Sequence, residues 1–140
     1  MSATITHDTA AACEAAFYAA FTACDVEAMM SVWAGQAPLL CIHPGGPPLT
    51  SRDAIEQSWR AILDGAGGVQ FTLSELQETH CGDVAVRFVH ENIHHGPGLR
   101  ETAVVCATNV FVREDGSWRM RVHHASPGPP TPSAGPGEMH

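Results

Sequence analysis

Two periodicities divide the chain. Between Thr9 and Cys24 the residues Cys13, Phe17, Phe21 and Cys24 fall on one helical stripe in an alanine-rich segment, with Asp8 placed to cap its start. Asp25 is placed to cap a second, short helix in which Val26, Met29, Met30 and Trp33 recur at helical spacing. Leu39 to Ile42 reads as a short apolar strand, stopped by His43-Pro44-Gly45-Gly46-Pro47-Pro48. Thr50 with Asp53 resembles a capping box and opens a third helix with Ile55, Trp59, Ile62 and Leu63 on one face. Gly65 to Gly68 ends it. From there the period changes to two. Val69, Phe71 and Leu73 alternate, Cys81-Gly82-Asp83 turns the chain, Val84 to His94 returns, and Gly96-Pro97-Gly98 turns it again into Glu101 to Val112. The order helix, helix, strand, helix, four strands predicts an α+β domain with an antiparallel sheet and helices on one side.

The closing run ATNVFVREDGSWRMRVHHASP is the most informative stretch. Asp115-Gly116 between two apolar runs is a hairpin signal whose second residue tolerates positive φ. The second strand ends in His123 and His124, and neighbours on a strand face opposite ways. Trp118, Met120, Val122 and His124 share one parity, Arg119, Arg121 and His123 the other. Apolarity alone puts the first set inside.

Composition narrows the function. The 140 residues suit one domain, and 44% hydrophobic content can bury a core. The net charge is −8 and all seven cations are arginine, so there is no basic stripe for nucleic acid and no polybasic membrane anchor. No apolar stretch approaches a spanning helix, and the N-terminus does not read as a secretory signal. Five scattered cysteines without a CxxC argue for free thiols in a reducing cytoplasm. The expected layout is a flexible end at 1–8, a single domain at 9–127, and a disordered Pro/Gly-rich tail at 128–140.

Four stretches, in order, resemble the SnoaL-like branch of the nuclear transport factor 2-like superfamily. They are Asp25-Val26-Glu27 through Trp33, Cys41-Ile42-His43-Pro44-Gly45, Ala54-Ile55 with Ser58-Trp59, and the closing block. The resemblance implies a cone: a curved sheet wrapped around a long helix, with a pocket at the wide end and dimers paired through the convex face. It leaves function open, since members include isomerases, dehydratases, cyclases and non-catalytic scaffolds. Against ketosteroid isomerase, the resemblance puts the oxyanion-hole tyrosine at Phe17, with Tyr18 one step off it. The general base falls on His43 before Pro44, and the second oxyanion donor on Asn109. The chain departs at all three places, so steroid isomerase activity is not expected.

His43 is the leading candidate base, a titratable imidazole at a strand end beside a Gly/Pro loop. Asn109 is the candidate hydrogen-bond donor to a developing oxyanion. The resemblance turns His123 toward the pocket, against the apolar parity, and His123 or Glu91 is then the acid or orienting partner. Arg87 and Glu91, four apart on one strand face, have a surface ion pair as their bland reading. Phe17, Trp33, Trp59, His90 and His124 complete the candidate ligand pocket, His124 with the alternative of a packed or dimer face. The expectation is a cytoplasmic homodimer binding a small hydrophobic molecule without a cofactor. If catalytic, it would be a lyase or isomerase using proton transfer. The alternatives are a non-catalytic binding or scaffold domain and, more remotely, a histidine-ligated metal site, for which no HExxH pattern speaks.

Overall fold

The structure is a computed structural model; it describes residues 5–36, 38–65 and 68–129, and of residues 75 and 76 the backbone alone. Three helices precede most of the sheet: α1 (Ala10–Ala23), α2 (Val26–Ser31) and α3 (Arg52–Gly65), with β1 (Leu40–Ile42) between the last two. Four long strands follow: β2 (Gln70–Cys81), β3 (Val84–His95), β4 (Glu101–Glu114) and β5 (Ser117–Pro127). The sheet order is β1-β5-β4-β3-β2. The long strands pair antiparallel, but β1 runs parallel to β5, so the sheet is mixed where the sequence pattern predicts an antiparallel one. A three-residue strand carries too little pattern to show its direction.

Caps shift by one residue from expectation. Thr9, not Asp8, caps α1 by accepting from Ala12 N at 3.0 Å, and Ser51, not the Thr50–Asp53 pair, accepts from Ala54 N at 3.1 Å. Asp25 caps α2 as expected. Cys24 leaves the helical stripe: it is the exposed left-handed cap that ends α1 (φ 54°). The β4–β5 turn has positive φ at both Asp115 and Gly116, the geometry that the Asp-Gly pair favours.

The core lies between the helices and the concave face of the sheet. Phe17, Met29, Ile55, Trp59, Phe111 and Met120 are fully buried. Each such side chain is worth about 1.5–3 kcal/mol on removal from water. Near both ends, described residues bond to the sheet. His7 is buried, its N–H donates to Ser117 Oγ at 2.9 Å, and its carbonyl accepts from Trp118 N. Gly128 N donates to Val104 O at 2.8 Å. The rest of the expected tail, from residue 130, lies outside the described residues.

One irregularity decides the interior. Val110 pairs with Val122 but Phe111 pairs with Met120, so Arg121 is an extra residue in β5. Such a bulge resets side-chain parity. Trp118 and Met120 face inward before it, His123 and Ala125 after it, all four buried.

Candidate functional site

The concave face past the bulge is polar. On β3 the inward residues are Ala85, Arg87, Val89 and Glu91; on β4 they include Ala107, Asn109 and Phe111; all are buried. Register sets Asn109 beside Arg87 on one side and His123 on the other. Helix α1 lies over them and contributes Glu14 and Tyr18, four residues apart on one helix face. The result is a connected network. Tyr18 Oη donates to Glu91 Oε2 at 2.6 Å, Asn109 Nδ2 donates to Glu14 Oε2 at 3.0 Å and to Tyr18 Oη at 3.3 Å, and Asn109 Oδ1 lies 2.7 Å from His123 Nδ1. Arg87 Nε donates to Glu14 Oε1 at 3.0 Å, and its guanidinium also pairs with Glu78.

The environment moves the titratable groups strongly. Burial lifts Glu91 to about 7; the nearby Glu14 charge adds to the rise while the Tyr18 hydrogen bond opposes it. Burial pushes His123 down to about 3, with His43 and His124 adding to the fall. Burial also keeps the Tyr18 hydroxyl far above its ordinary value and holds His43 below its own. Near neutral pH both histidines are therefore bases without charge, and Glu91 sits where proton transfer is balanced.

His43 comes from the end of β1 and reaches the same region. Its ring packs edge-on to Trp59 (centroids 4.8 Å apart) and lies 6.5 Å from the His123 ring. Its Nε2 is 2.9 Å from Ser58 Oγ and 3.6 Å from Cys41 Sγ. Ser58 Oγ is also 2.7 Å from the Ile55 carbonyl, which can only accept. The hydroxyl proton goes there, so His43 Nε2 donates to Ser58 and Nδ1 keeps a lone pair. Burial pushes the Cys41 thiol up to about 12, so it is an inert neighbour.

Several sequence expectations change. Asn109 is fully buried and both its amide groups are committed inside the protein, so it has no donor left for an oxyanion. Glu91 is buried with Tyr18, not beside a histidine, and Arg87 turns to Glu14 and Glu78. His90 is on the convex face against Phe88, and His124, exposed, is on that face too. Neither belongs to the interior, because parity on β3 and the bulge on β5 point them away. Trp33 is a core residue bridged to Met120, on the far side of the bulge from His123. Phe17 and Trp59 do reach the histidines: Phe17 packs on His123 at 4.8 Å and Trp59 lies 6.1 Å from it. These rings fill the space expected to be a pocket. Two surface clefts lie elsewhere, one of about 700 Å³ beside Cys24, Met30, Arg52 and Arg60, the other of about 580 Å³ beside Thr9, His80, Arg113 and Trp118. Among the described residues no group of three His, Cys, Asp or Glu side chains could hold a metal ion.

Sequence reasoning missed Glu14, and it set Tyr18 one step off the tyrosine position that it gave to Phe17. The available signal was small: Glu14 is the one charged residue between Thr9 and Cys24, in a helix otherwise apolar enough to be buried.

The sequence pattern of the SnoaL-like domain matches residues 10–131. The chain belongs to the SnoaL-like domain family. A Thiobacillus denitrificans structure, a proposed calcium/calmodulin-dependent protein kinase type II association domain, is 36% identical to this SnoaL-like domain; the match covers 89% of this chain and 99% of that one, with a TM-score of 0.84. A proposed dehydratase of the nuclear transport factor 2-like family from Streptomyces avermitilis is 30% identical over 84% of this chain and 92% of its own, with a TM-score of 0.75. The F-box protein SKIP8 of Arabidopsis thaliana is 27% identical over 103 residues, 72% of this SnoaL-like domain and 42% of that protein. The chain thus spans less than half the length of that curated relative. The expected α+β fold is shared with the two solved structures, and it is a fold family suited to binding small molecules. No helix among the described residues is long and apolar enough to cross a membrane.

Proposed function

We propose that this SnoaL-like domain binds a small, largely apolar molecule against His43, Trp59 and His123 and acts on it by cofactor-free proton transfer, as in a dehydration or isomerisation. The observation that carries this is the meeting of two neutral imidazoles, from β1 and β5, over a buried polar network that a purely structural core would avoid. His43 is the base: it is half-buried, its Nδ1 lone pair has no partner among the described residues, and its other nitrogen is held by Ser58. Its proton can pass to neither Asn109 nor Cys41, which leaves His123 Nε2 as the second site of exchange. Because aromatic rings fill the region, the ligand enters by displacing one. Trp59 is suited to this, since its indole N–H is buried without a partner and loses no hydrogen bond on moving. The relative described as a dehydratase supports the chemistry, and the one described as an association domain supports self-assembly. The half-buried apolar convex face around Val86, Phe88 and Val110 fits a homodimer, which sedimentation equilibrium would read.

The decisive test is His43→Ala. It removes the base while stability stays within about 1 kcal/mol. Ligand-observed NMR with a panel of small apolar alcohols, phenols and ketones should show binders of the native protein that the variant loses. An unchanged binding profile would end this reading.

A further inference from the structure

The buried network has a direction, and it ends on the candidate site. The Glu14 carboxylate accepts from Arg87 Nε and offers Asn109 only acceptor oxygen. Tyr18 gives its proton to Glu91 at 2.6 Å, so toward Asn109 it too can only accept. Two neighbours therefore demand N–H from the same end of the Asn109 amide. That leaves Oδ1 facing His123 Nδ1 at 2.7 Å. A carbonyl oxygen accepts, so Nδ1 carries the imidazole proton and Nε2 a lone pair. On the other side of the site, Ser58 and the Ile55 carbonyl leave His43 with a lone pair on Nδ1 by the same kind of argument.

We infer that Glu14 is a positioning residue that sets the tautomer of His123 through Asn109, and that the site so shaped takes a small, neutral, apolar hydroxyl compound bound as a hydrogen-bond donor. The ligand half rests on the site proposed above; the tautomer half stands without it. Two ring nitrogens with lone pairs, on rings 6.5 Å apart, repel a carboxylate, phosphate or enolate. A ketone leaves both lone pairs unmet. A hydroxyl donates to one of them, so of these groups it alone meets a lone pair. Binding such a donor against a base is also the arrangement from which a hydroxyl proton is removed.

Glu14→Gln tests the relay, made together with Tyr18→Phe because the Tyr18 oxygen is a second acceptor on the same end of Asn109. The new amide gives its carbonyl to Arg87 and its N–H to Asn109, which must turn its oxygen to meet it and its N–H2 to His123. His123 then holds its proton on Nε2. Long-range ¹H–¹⁵N spectra distinguish the two tautomers directly. The native protein should show His123 protonated on Nδ1 at pH 7, the Glu14→Gln/Tyr18→Phe double variant should invert it, and Tyr18→Phe alone, which leaves Glu14 in place, should not. A native His123 protonated on Nε2 overturns the assignment even if the double variant fails to fold, as does inversion by Tyr18→Phe alone or its absence in a folded double variant. The ligand half is read by titrating 4-methylphenol and its methyl ether, 4-methylanisole, into the native protein while following the His43 and His123 ring signals. The phenol should bind roughly tenfold tighter, the worth of one retained hydrogen bond. Equal binding overturns the donor class and leaves the site; binding of neither, with Nδ1 protonated as expected, removes the small-molecule reading and leaves the role of Glu14.

Discussion

The two halves of β5 solve the interior in opposite ways. Before Arg121 the strand sends Trp118 and Met120 inward, with Met120 opposite Phe111, and stability there comes from area removed from water. After Arg121 it sends His123 against Asn109, which bonds Glu14 and Tyr18, and these in turn bond Arg87 and Glu91. Apolar packing tolerates small shifts in shape. A buried polar chain does not, since each member is paired only if every other one is correctly oriented. The polar half is thus the half in which one substitution changes chemistry as well as stability.

The largest effect should come from removing the hinge between the halves. Deletion of Arg121 must put either Trp118 and Met120 or His123 and Ala125 on the convex face. The expected outcome is loss of cooperative thermal unfolding, read by calorimetry. A deletion variant with a melting temperature near the native one would mean that the bulge does not set the parity.

Next come single truncations on either side. Glu14→Ala takes one carboxylate from the Arg87 guanidinium, which keeps Glu78, and strips Asn109 of an acceptor, a loss of about 2–3 kcal/mol. Met120→Ala, on the apolar side, should cost about 2–5 kcal/mol from lost burial and a cavity. The two differ in how they couple. In urea-unfolding double-mutant cycles Glu14→Ala should be strongly non-additive with Asn109→Ala and additive with Met120→Ala. Additivity throughout would dissolve the distinction between the halves.

The same contrast explains what was legible beforehand. The elements and their order follow from periods of 3.6 and 2, and Asp115-Gly116 announces its turn in two residues. The two parity readings of the closing strand, apolar or histidine inward, each hold on one side of Arg121. Nothing in the residue itself marks a bulge, so the sequence pattern could not reconcile them. The network was hidden for another reason: Glu14 meets Arg87 73 positions away and Asn109 95 positions away. Partnerships that distant leave no local period. His43 was visible because a strand end beside glycines and prolines is a local signal, whereas Ser58, which orients it, reads only as one more polar residue on a helix.

A smaller effect should appear with pH. Native Glu91 holds its proton up to about 7, whereas a free carboxyl releases it near 4.5. The native state therefore binds the extra proton in that window, and this group's contribution grows as pH falls from 7 to 4.5. His123 works the other way. Unfolded, it takes a proton near 6.5; native, it does so only near 3, so its contribution is lost as pH drops through that range. His43, also lowered by burial, adds to the loss. Between pH 6.5 and 4.5 the Glu91 and His123 terms oppose each other. Glu91→Gln keeps an acceptor for Tyr18 but removes the carboxyl. It should make stability fall more steeply with acid than in the native protein, by up to about 1.4 kcal/mol per pH unit. Parallel pH profiles for the two proteins would place the native Glu91 proton elsewhere.

The smallest expected effect is also the sharpest contrast, because it compares neighbours. His123→Ala removes a fully enclosed ring, its hydrogen bond to Asn109 and its packing on Phe17, a loss of roughly 2–4 kcal/mol for a buried polar aromatic side chain. His124→Ala removes an exposed ring on the convex face, and unfolding stability should stay within about 0.5 kcal/mol. Identical side chains one residue apart thus differ only in the face that the bulge assigns them. If His124→Ala costs as much as His123→Ala at low protein concentration, the parity after Arg121 is reversed. If its cost appears only at high concentration, as a shift in association, the convex face is where it is buried, and the fold of the single chain is untouched.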